Sequence, residues 1–146
     1  FTKANADTGG RIINTLIDKY VKNNSEKAYS YESLGQLKYL SALKFMDGVV
    51  GNSSSGIIEA PSLDIGTINI GDRQSGRIQA RSIINSSNET RAIYNAIKKI
   101  YSKKFLNSLS KTMNPHQKGF TSKKIIKKIL ETDLEGIIKK KFYDIK

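Results

Sequence analysis

Apolar and polar positions follow two different periods along this 146-residue chain. Over residues 8–22, Ile12, Ile13, Leu16, Ile17 and Tyr20 fall three and four positions apart, which predicts a helix with one apolar stripe. Asp7 or Thr8 is placed to cap it. Residues 33–46 carry the same period in Leu34, Leu37, Leu40, Ala42, Leu43 and Phe45, and Asp47-Gly48 breaks it. A longer pattern opens at Asn88-Glu89 and runs to about Leu109 through Ile93, Ile97, Ile100, Tyr101 and Phe105. Residues 122–131 group Ile125, Ile126, Ile129 and Leu130, and a helical tail is expected over 134–145. Between these lie short apolar runs of strand type: 1–4, 28–31, Gly48-Val49-Val50-Gly51, Thr67-Ile68-Asn69-Ile70 and, weakest, Ser82-Ile83-Ile84. A further helix is expected over 55–63, directly after the third run. Short strands alternating with helices imply an α/β fold, a Rossmann-like parallel sheet with flanking helices. Residues 85–88 and 114–117 read as loops, and neither has the character of a linker.

Composition narrows this picture. Hydrophobic residues make up 38%, and the 11 glycines bring the apolar share to about 46%, normal for a globular core. Disorder along the whole chain is thereby excluded. The formal charge of +12 is unevenly placed. Residues 1–97 hold 11 basic and 9 acidic side chains; residues 98–146 hold 14 and 4. The excess therefore sits in lysine pairs such as Lys98-Lys99, Lys123-Lys124 and Lys127-Lys128, on the polar faces of expected helices. Solvated helix faces explain them more simply than a nucleic-acid surface, so no nucleic-acid partner is expected. The chain has no cysteine and one histidine, His116, in a loop remote from the motifs below, which argues against a thiolate or histidine-rich metal site. No cofactor or metal is expected. No apolar run reaches the roughly 18 residues of a membrane span, so no membrane partner is expected, and a cytoplasmic location fits. The chain opens at Phe1 without an initiator Met, which suggests an entry in mid-sequence.

Three stretches carry candidate chemistry. In Gly51-Asn52-Ser53-Ser54-Ser55-Gly56-Ile57-Ile58-Glu59-Ala60 a buried strand runs into small hydroxyl residues and then a helix. Ligands of open parallel sheets bind at the carboxyl ends of strands. A helix N-terminus there offers N–H groups and a positive dipole end to phosphate, and the serines add hydroxyl donors. Glu59, one turn on, could accept two hydrogen bonds from vicinal hydroxyls such as those of a ribose. The bland alternative is a serine-rich cap with Glu59 as a surface acid near the dipole. In Gly71-Asp72-Arg73-Gln74-Ser75-Gly76-Arg77 two arginines follow the next strand and could grip an anion, or the loop could be held by a structural Arg–Asp pair. Because the two stretches leave neighbouring strands, they should face one crevice. The third, Asn5-Ala6-Asp7-Thr8-Gly9-Gly10-Arg11, is again a strand-to-helix turn, in which Asp7 could simply cap the helix.

Taken in order, Thr2-Lys3-Ala4-Asn5-Ala6-Asp7-Thr8-Gly9-Gly10-Arg11, Ser33-Leu34-Gly35-Gln36-Leu37-Lys38-Tyr39-Leu40, the serine stretch continued through Pro61-Ser62, and Asn69-Ile70-Gly71-Asp72-Arg73-Gln74 with Gly76-Arg77 closely resemble the C-terminal half of the hydrolysing UDP-N-acetylglucosamine 2-epimerases of sialic-acid-type pathways. The likeness runs from residue 1 to about residue 130. It implies the C-terminal half of a GT-B-like two-domain fold, with residues 1–146 as the UDP-binding domain, incomplete at its start, and the N-terminal domain absent. It also implies conversion of UDP-N-acetylglucosamine and water to N-acetylmannosamine and UDP, by anti elimination of UDP, hydration and inversion at C2. By motif, Ser53 and Ser54 would bind the diphosphate, Glu59 the ribose hydroxyls and Arg73 the phosphate side. Leu34 would present its backbone to uracil, and Asn5 would line the cleft. The family's acid/base residues belong to the N-terminal domain, so no catalytic residue is assigned here and the chain alone is expected to be inactive. A homo-oligomer, dimer or tetramer, is implied for the whole enzyme. A related epimerase of a UDP-diacetamido sugar, or a non-catalytic basic module, are the alternatives. The family's Gly-Ile-Pro before the Thr-Ile-Asn strand is Asp64-Ile65-Gly66 here, which should alter loop geometry rather than binding. In the strand order of this fold the first strand is central. A piece beginning at the second strand should show an interrupted sheet or pair with another chain.

Overall fold

A computed structural model describes residues 1–4, 9–136 and 138–139. It falls into two compact units, residues 1–114 and 115–146. The boundary lies inside the loop at 114–117, which has no obvious linker composition.

The first unit is organised by one strand. β2 (Gly66–Ile70) is buried at every position but its last, and it lies between β1 (Gly48–Gly51) and β3 (Ile83–Ser86), parallel to both. Gly48 pairs with Gly66 and Gly51 with Asn69; Thr67 pairs with Ile83 and Ile70 with Ser86. A strand buried on both faces should be continuously apolar rather than alternating, and Gly-Thr-Ile-Asn-Ile nearly is. The core is Ile68 and Ile84 of the sheet against Ala96 and Ile100 of α4 (Thr90–Ile100) and Phe105 and Leu109 of α5 (Lys103–Leu109). This packing requires that the sheet have no side chain at Gly66: a Cβ there would stand 2.8 Å from the Phe105 ring and 2.9 Å from Ile100. α3 (Ser55–Ile58) and a 3₁₀ turn (Ala60–Leu63) make the crossover from β1 to β2. Residues 71–82 connect β2 to β3 without a helix, leaving loop at the strands' carboxyl ends.

Several expectations need correction. The single helix foreseen over 88–109 is two, because Ser102 stops one and caps the next: its hydroxyl accepts from the Phe105 N–H at 3.3 Å. The helix foreseen over 55–63 also breaks, because Pro61 has no N–H to donate four residues back. The third strand extends through Asn85 and Ser86, residues read as loop. α1 (Gly10–Asn23) and α2 (Gly35–Leu43) are present, but α2 is shorter than expected and the apolar residues of α1 face solvent: Ile12, Ile13, Leu16 and Tyr20 are all exposed. Leu37 and Phe45, expected inside, are exposed too, while Leu43 is buried. Asp7 and Thr8, the expected caps of α1, lie outside the described residues.

The strand pieces 1–4 and 28–31 shrink to one parallel bridge, Thr2 with Tyr31. Among the described residues they are not joined to the three-stranded sheet, which is continuous in the order β1-β2-β3. The N-terminal piece is instead tied to α1: Ala4 N–H donates to Asn14 Oδ1 at 2.8 Å, Asn14 Nδ2 donates back to the Ala4 carbonyl, and Lys3 pairs with Asp18 at 3.0 Å.

In the second unit α6 (Thr121–Leu130) buries none of its residues, and Ile125, Ile126, Ile129 and Leu130 are exposed although they share a stripe. Of the tail expected to be helical over 134–145, the described residues 134–136 and 138–139 are not helical, and the others lie outside the described residues. Among the described residues no helix is long and apolar enough to cross a membrane.

Candidate functional site

The two motif stretches leave the carboxyl ends of adjacent parallel strands, β1 and β2, and they touch. Gln74 Nε2 donates to the Asn52 carbonyl at 2.8 Å, joining the loop after β2 to the turn after β1. A cavity of about 480 Å³ at this end of the sheet runs along the ends of β2 and β3, lined by Gly71, Asp72, Asn85, Ser86, Ser87 and Asn88, and no residue of the serine stretch lines it.

In the serine turn, Ser53 Oγ accepts from the Ser55 N–H at 3.3 Å. The Ser53 carbonyl accepts from Gly56 N–H, and the Ser54 carbonyl accepts from the Ile57 and Ile58 N–H groups. These bonds change the expected chemistry. α3 is four residues long, and four N–H groups at its start are already engaged, so a helix dipole and a fan of open donors are not what the turn offers. It offers hydroxyls instead: Ser53 Oγ spends a lone pair on Ser55 and keeps its own hydrogen to donate. Ser55 Oγ is committed elsewhere, donating to Tyr39 Oη of α2 at 2.7 Å.

Gly56 sets how closely this turn approaches the sheet. A Cβ there would lie 2.6 Å from Thr67 Cγ2, and Thr67 Oγ1 donates to the Gly56 carbonyl at 2.8 Å. Glu59, foreseen one turn inside a continuous helix, stands at the junction of α3 and the 3₁₀ turn and is half-buried. It is too far along α3 to complement the helix start.

Arg73 and Arg77 are exposed on the second loop. The loop turns through Ser75 N–H to the Asp72 carbonyl and Arg77 N–H to the Gln74 carbonyl, and Gly71 N–H anchors its start on the Ser86 carbonyl. Leu34 precedes α2 and lines a different, apolar cavity of about 590 Å³ with Phe1, Tyr20, Tyr39, Leu43 and Met46. The Tyr39–Ser55 hydrogen bond is its link to the serine turn. Asn5 lies outside the described residues. Ser53, Ser54 and Arg73 thus lie on the segments that leave one end of the sheet, whereas Glu59 follows α3 and Leu34 precedes α2.

Residue reading missed the polar scaffold behind these groups. Asn69 Nδ2 donates to Asn85 Oδ1 at 2.9 Å across the β2–β3 register, and Asn85 Nδ2 donates to Gln79 Oε1 at 2.8 Å. Asn69, inside the apolar run Thr67-Ile68-Asn69-Ile70, is its one signal in the sequence, since the pattern puts Asn85 in a loop.

Residues 1–130 match the family model described as UDP-N-acetylglucosamine 2-epimerase. The chain is 43% identical over 146 residues to a Campylobacter jejuni protein named GDP/UDP-N,N'-diacetylbacillosamine 2-epimerase (hydrolyzing), covering 99% of this chain and 38% of that protein. It is 36% identical over 151 residues to Escherichia coli polysialic acid biosynthesis protein P7, covering 99% and 37%. It is 38% identical over 93 residues to a UDP-N-acetylglucosamine 2-epimerase of Neisseria meningitidis, covering 64% and 24%. The chain spans less than two fifths of the length of these relatives. With the family model matching nearly nine tenths of its residues, the chain belongs to the UDP-N-acetylglucosamine 2-epimerase family.

Proposed function

We propose that this chain is the UDP-binding part, the C-terminal domain, of a hydrolysing UDP-sugar 2-epimerase that converts UDP-N-acetylglucosamine to N-acetylmannosamine and UDP for sialic-acid-type sugars. The observation that carries the reading is the joined pair of strand exits: Ser53 and Ser54 follow β1 and Arg73 follows β2, on loops linked by the Gln74–Asn52 bond. A pyrophosphate needs several donors from more than one direction, and a guanidinium adds charge-assisted, bidentate contact. Glu59 would accept from the ribose hydroxyls. Leu34 would meet the uracil with its backbone, and Asn5 would line the sugar side of the cleft. The acid/base chemistry at C2 is assigned to the remainder of a larger, two-domain enzyme, acting as a dimer or tetramer in the cytoplasm.

A second reading changes only the sugar. The Campylobacter relative and a Legionella pneumophila relative, 35% identical over 80 residues, both carry names specifying N,N'-diacetylbacillosamine. These names favour a UDP-diacetamido sugar as substrate over UDP-N-acetylglucosamine, while the E. coli relative's name supports the sialic-acid assignment. Both readings share the UDP half of the site.

Titration calorimetry with UDP tests that shared half. Saturable one-to-one binding is expected, and Glu59→Ala and Arg73→Ala should each weaken it tenfold or more, a loss of at least about 1.4 kcal/mol. Unchanged affinity in both variants would overturn the assignment.

A further inference from the structure

We propose that Gln74 is a positioning residue: it locks the serine turn and the arginine loop into one unit, so that Ser53, Ser54 and Arg73 meet a diphosphate in fixed geometry. The inference rests on the UDP-binding reading above and adds a residue that touches no ligand.

Three observations carry it. Gln74 is 3% exposed, although Asp72, Arg73, Ser75, Gly76 and Arg77 around it are all exposed. A long polar side chain has been turned inward from a surface loop, at a cost in conformational entropy and desolvation. Its Nε2 donates at 2.8 Å to the backbone carbonyl of Asn52, the residue before the serines. A carbonyl can only accept, so the orientation of the amide is fixed: the nitrogen faces Asn52. The opposite end, Oε1, is then buried, with no hydrogen-bond partner among the described residues. A buried acceptor left unmade opposes folding. An apolar side chain of the same length would avoid that loss, so stability alone does not account for glutamine here; the contact with Asn52 does.

The far end of the same loop is held as well. Gln79 Oε1 accepts from Asn85, which is tied to Asn69 of the central strand. The loop bearing Arg73 is thus pinned to the exit of β1 at Gln74 and to β3 at Gln79. Cutting the first tie removes the Gln74–Asn52 link between the loop and the serine turn and leaves the second intact.

The discriminating variant is Gln74→Met, in the 146-residue chain. Methionine keeps the length and fills the same space without the donor and without the buried Oε1, and the carbonyl it releases belongs to Asn52, an exposed residue. If glutamine only fills space, Met preserves UDP affinity. If it positions, UDP affinity falls tenfold or more while the denaturation midpoint stays level or rises. Amide hydrogen exchange should also quicken together in residues 51–55 and 71–77. Gln74→Glu, which sets an acceptor against the Asn52 carbonyl, should lose affinity at least as far. A variant binding UDP within twofold of the parent, or exchange that quickens in one segment only, would overturn the proposal. In the unaltered chain the Gln74 side-chain amide hydrogens should exchange slowly; fast exchange also overturns it, whatever the variants do. A parent chain that binds no UDP would instead sink the UDP reading, and the exchange comparison would still decide whether Gln74 locks the two segments.

Discussion

At the scale of single residues, small side chains do two jobs in this site, and sequence separates them poorly. Gly51-Asn52-Ser53-Ser54-Ser55-Gly56 reads as a run that leaves room for a ligand, yet Gly56 leaves room for Thr67. Its absent Cβ is what lets Thr67 Cγ2 stand where it does and Thr67 Oγ1 reach the Gly56 carbonyl. Gly56→Ala forces an overlap at 2.6 Å against a fully buried strand residue, and should cost about 1–3 kcal/mol, the range for overpacking a dense core. Chemical denaturation measures it. Thr67→Ser removes the clashing methyl and keeps the hydroxyl, so Gly56→Ala should cost clearly less in that background; equal costs in both would show that the two residues do not couple. The same ambiguity hid Gln74, which lies inside a quoted motif but differs from its exposed neighbours only in burial, a quantity no spacing reveals.

At the scale of elements, existence was legible and continuity was not. The sheet strand Gly48–Gly51 matches its expected bounds because glycines and the Asp47-Gly48 break punctuate it on both sides. The apolar stripe through Ile93, Ile97, Ile100 and Phe105 fits one long helix equally well, since a break of two residues barely disturbs a 3.6-residue period. The deciding residue is Ser102, whose extended backbone and hydroxyl start α5 afresh and swing Phe105 back under Ile100 against Gly66. Ser102→Ala removes the one side-chain cap recorded at a helix start among the described residues. A loss of about 1 kcal/mol is expected, read as a lower denaturation midpoint with the slope unchanged. The pieces at 1–4 and 28–31 failed as strands for a different reason. Strand propensity is realised by ladder partners, and among the described residues each piece has a ladder partner only in the other, over one bridge.

At the scale of the whole molecule, periodicity states which face of a helix is apolar but never what covers it. Ile12, Leu16 and Tyr20 of α1 and Ile125, Ile126 and Ile129 of α6 form the stripes their spacing requires, and all six are exposed. α4, with an equally regular stripe, buries Ala96 and Ile100 in the core. The difference predicts a wide spread of local stability. A ten-residue helix that buries none of its residues is marginal in water, and among the described residues α6 is supported by the exposed Lys127–Glu131 pair, at 3.7 Å, and by Lys123 over the Phe120 ring. Native-state hydrogen exchange should therefore find α6 amides opening with a free energy near zero. The amides of β2 and of α4 around Ile100 should open only with global unfolding. The exposed stripes should also bind a hydrophobic dye under native conditions, and this binding should persist in high salt, because apolar contact is not screened as lysine-borne attraction is. Protection of α6 equal to that of α4, together with no dye binding, would mean that these faces are covered in solution and that the division into a packed core and unpacked helices is wrong.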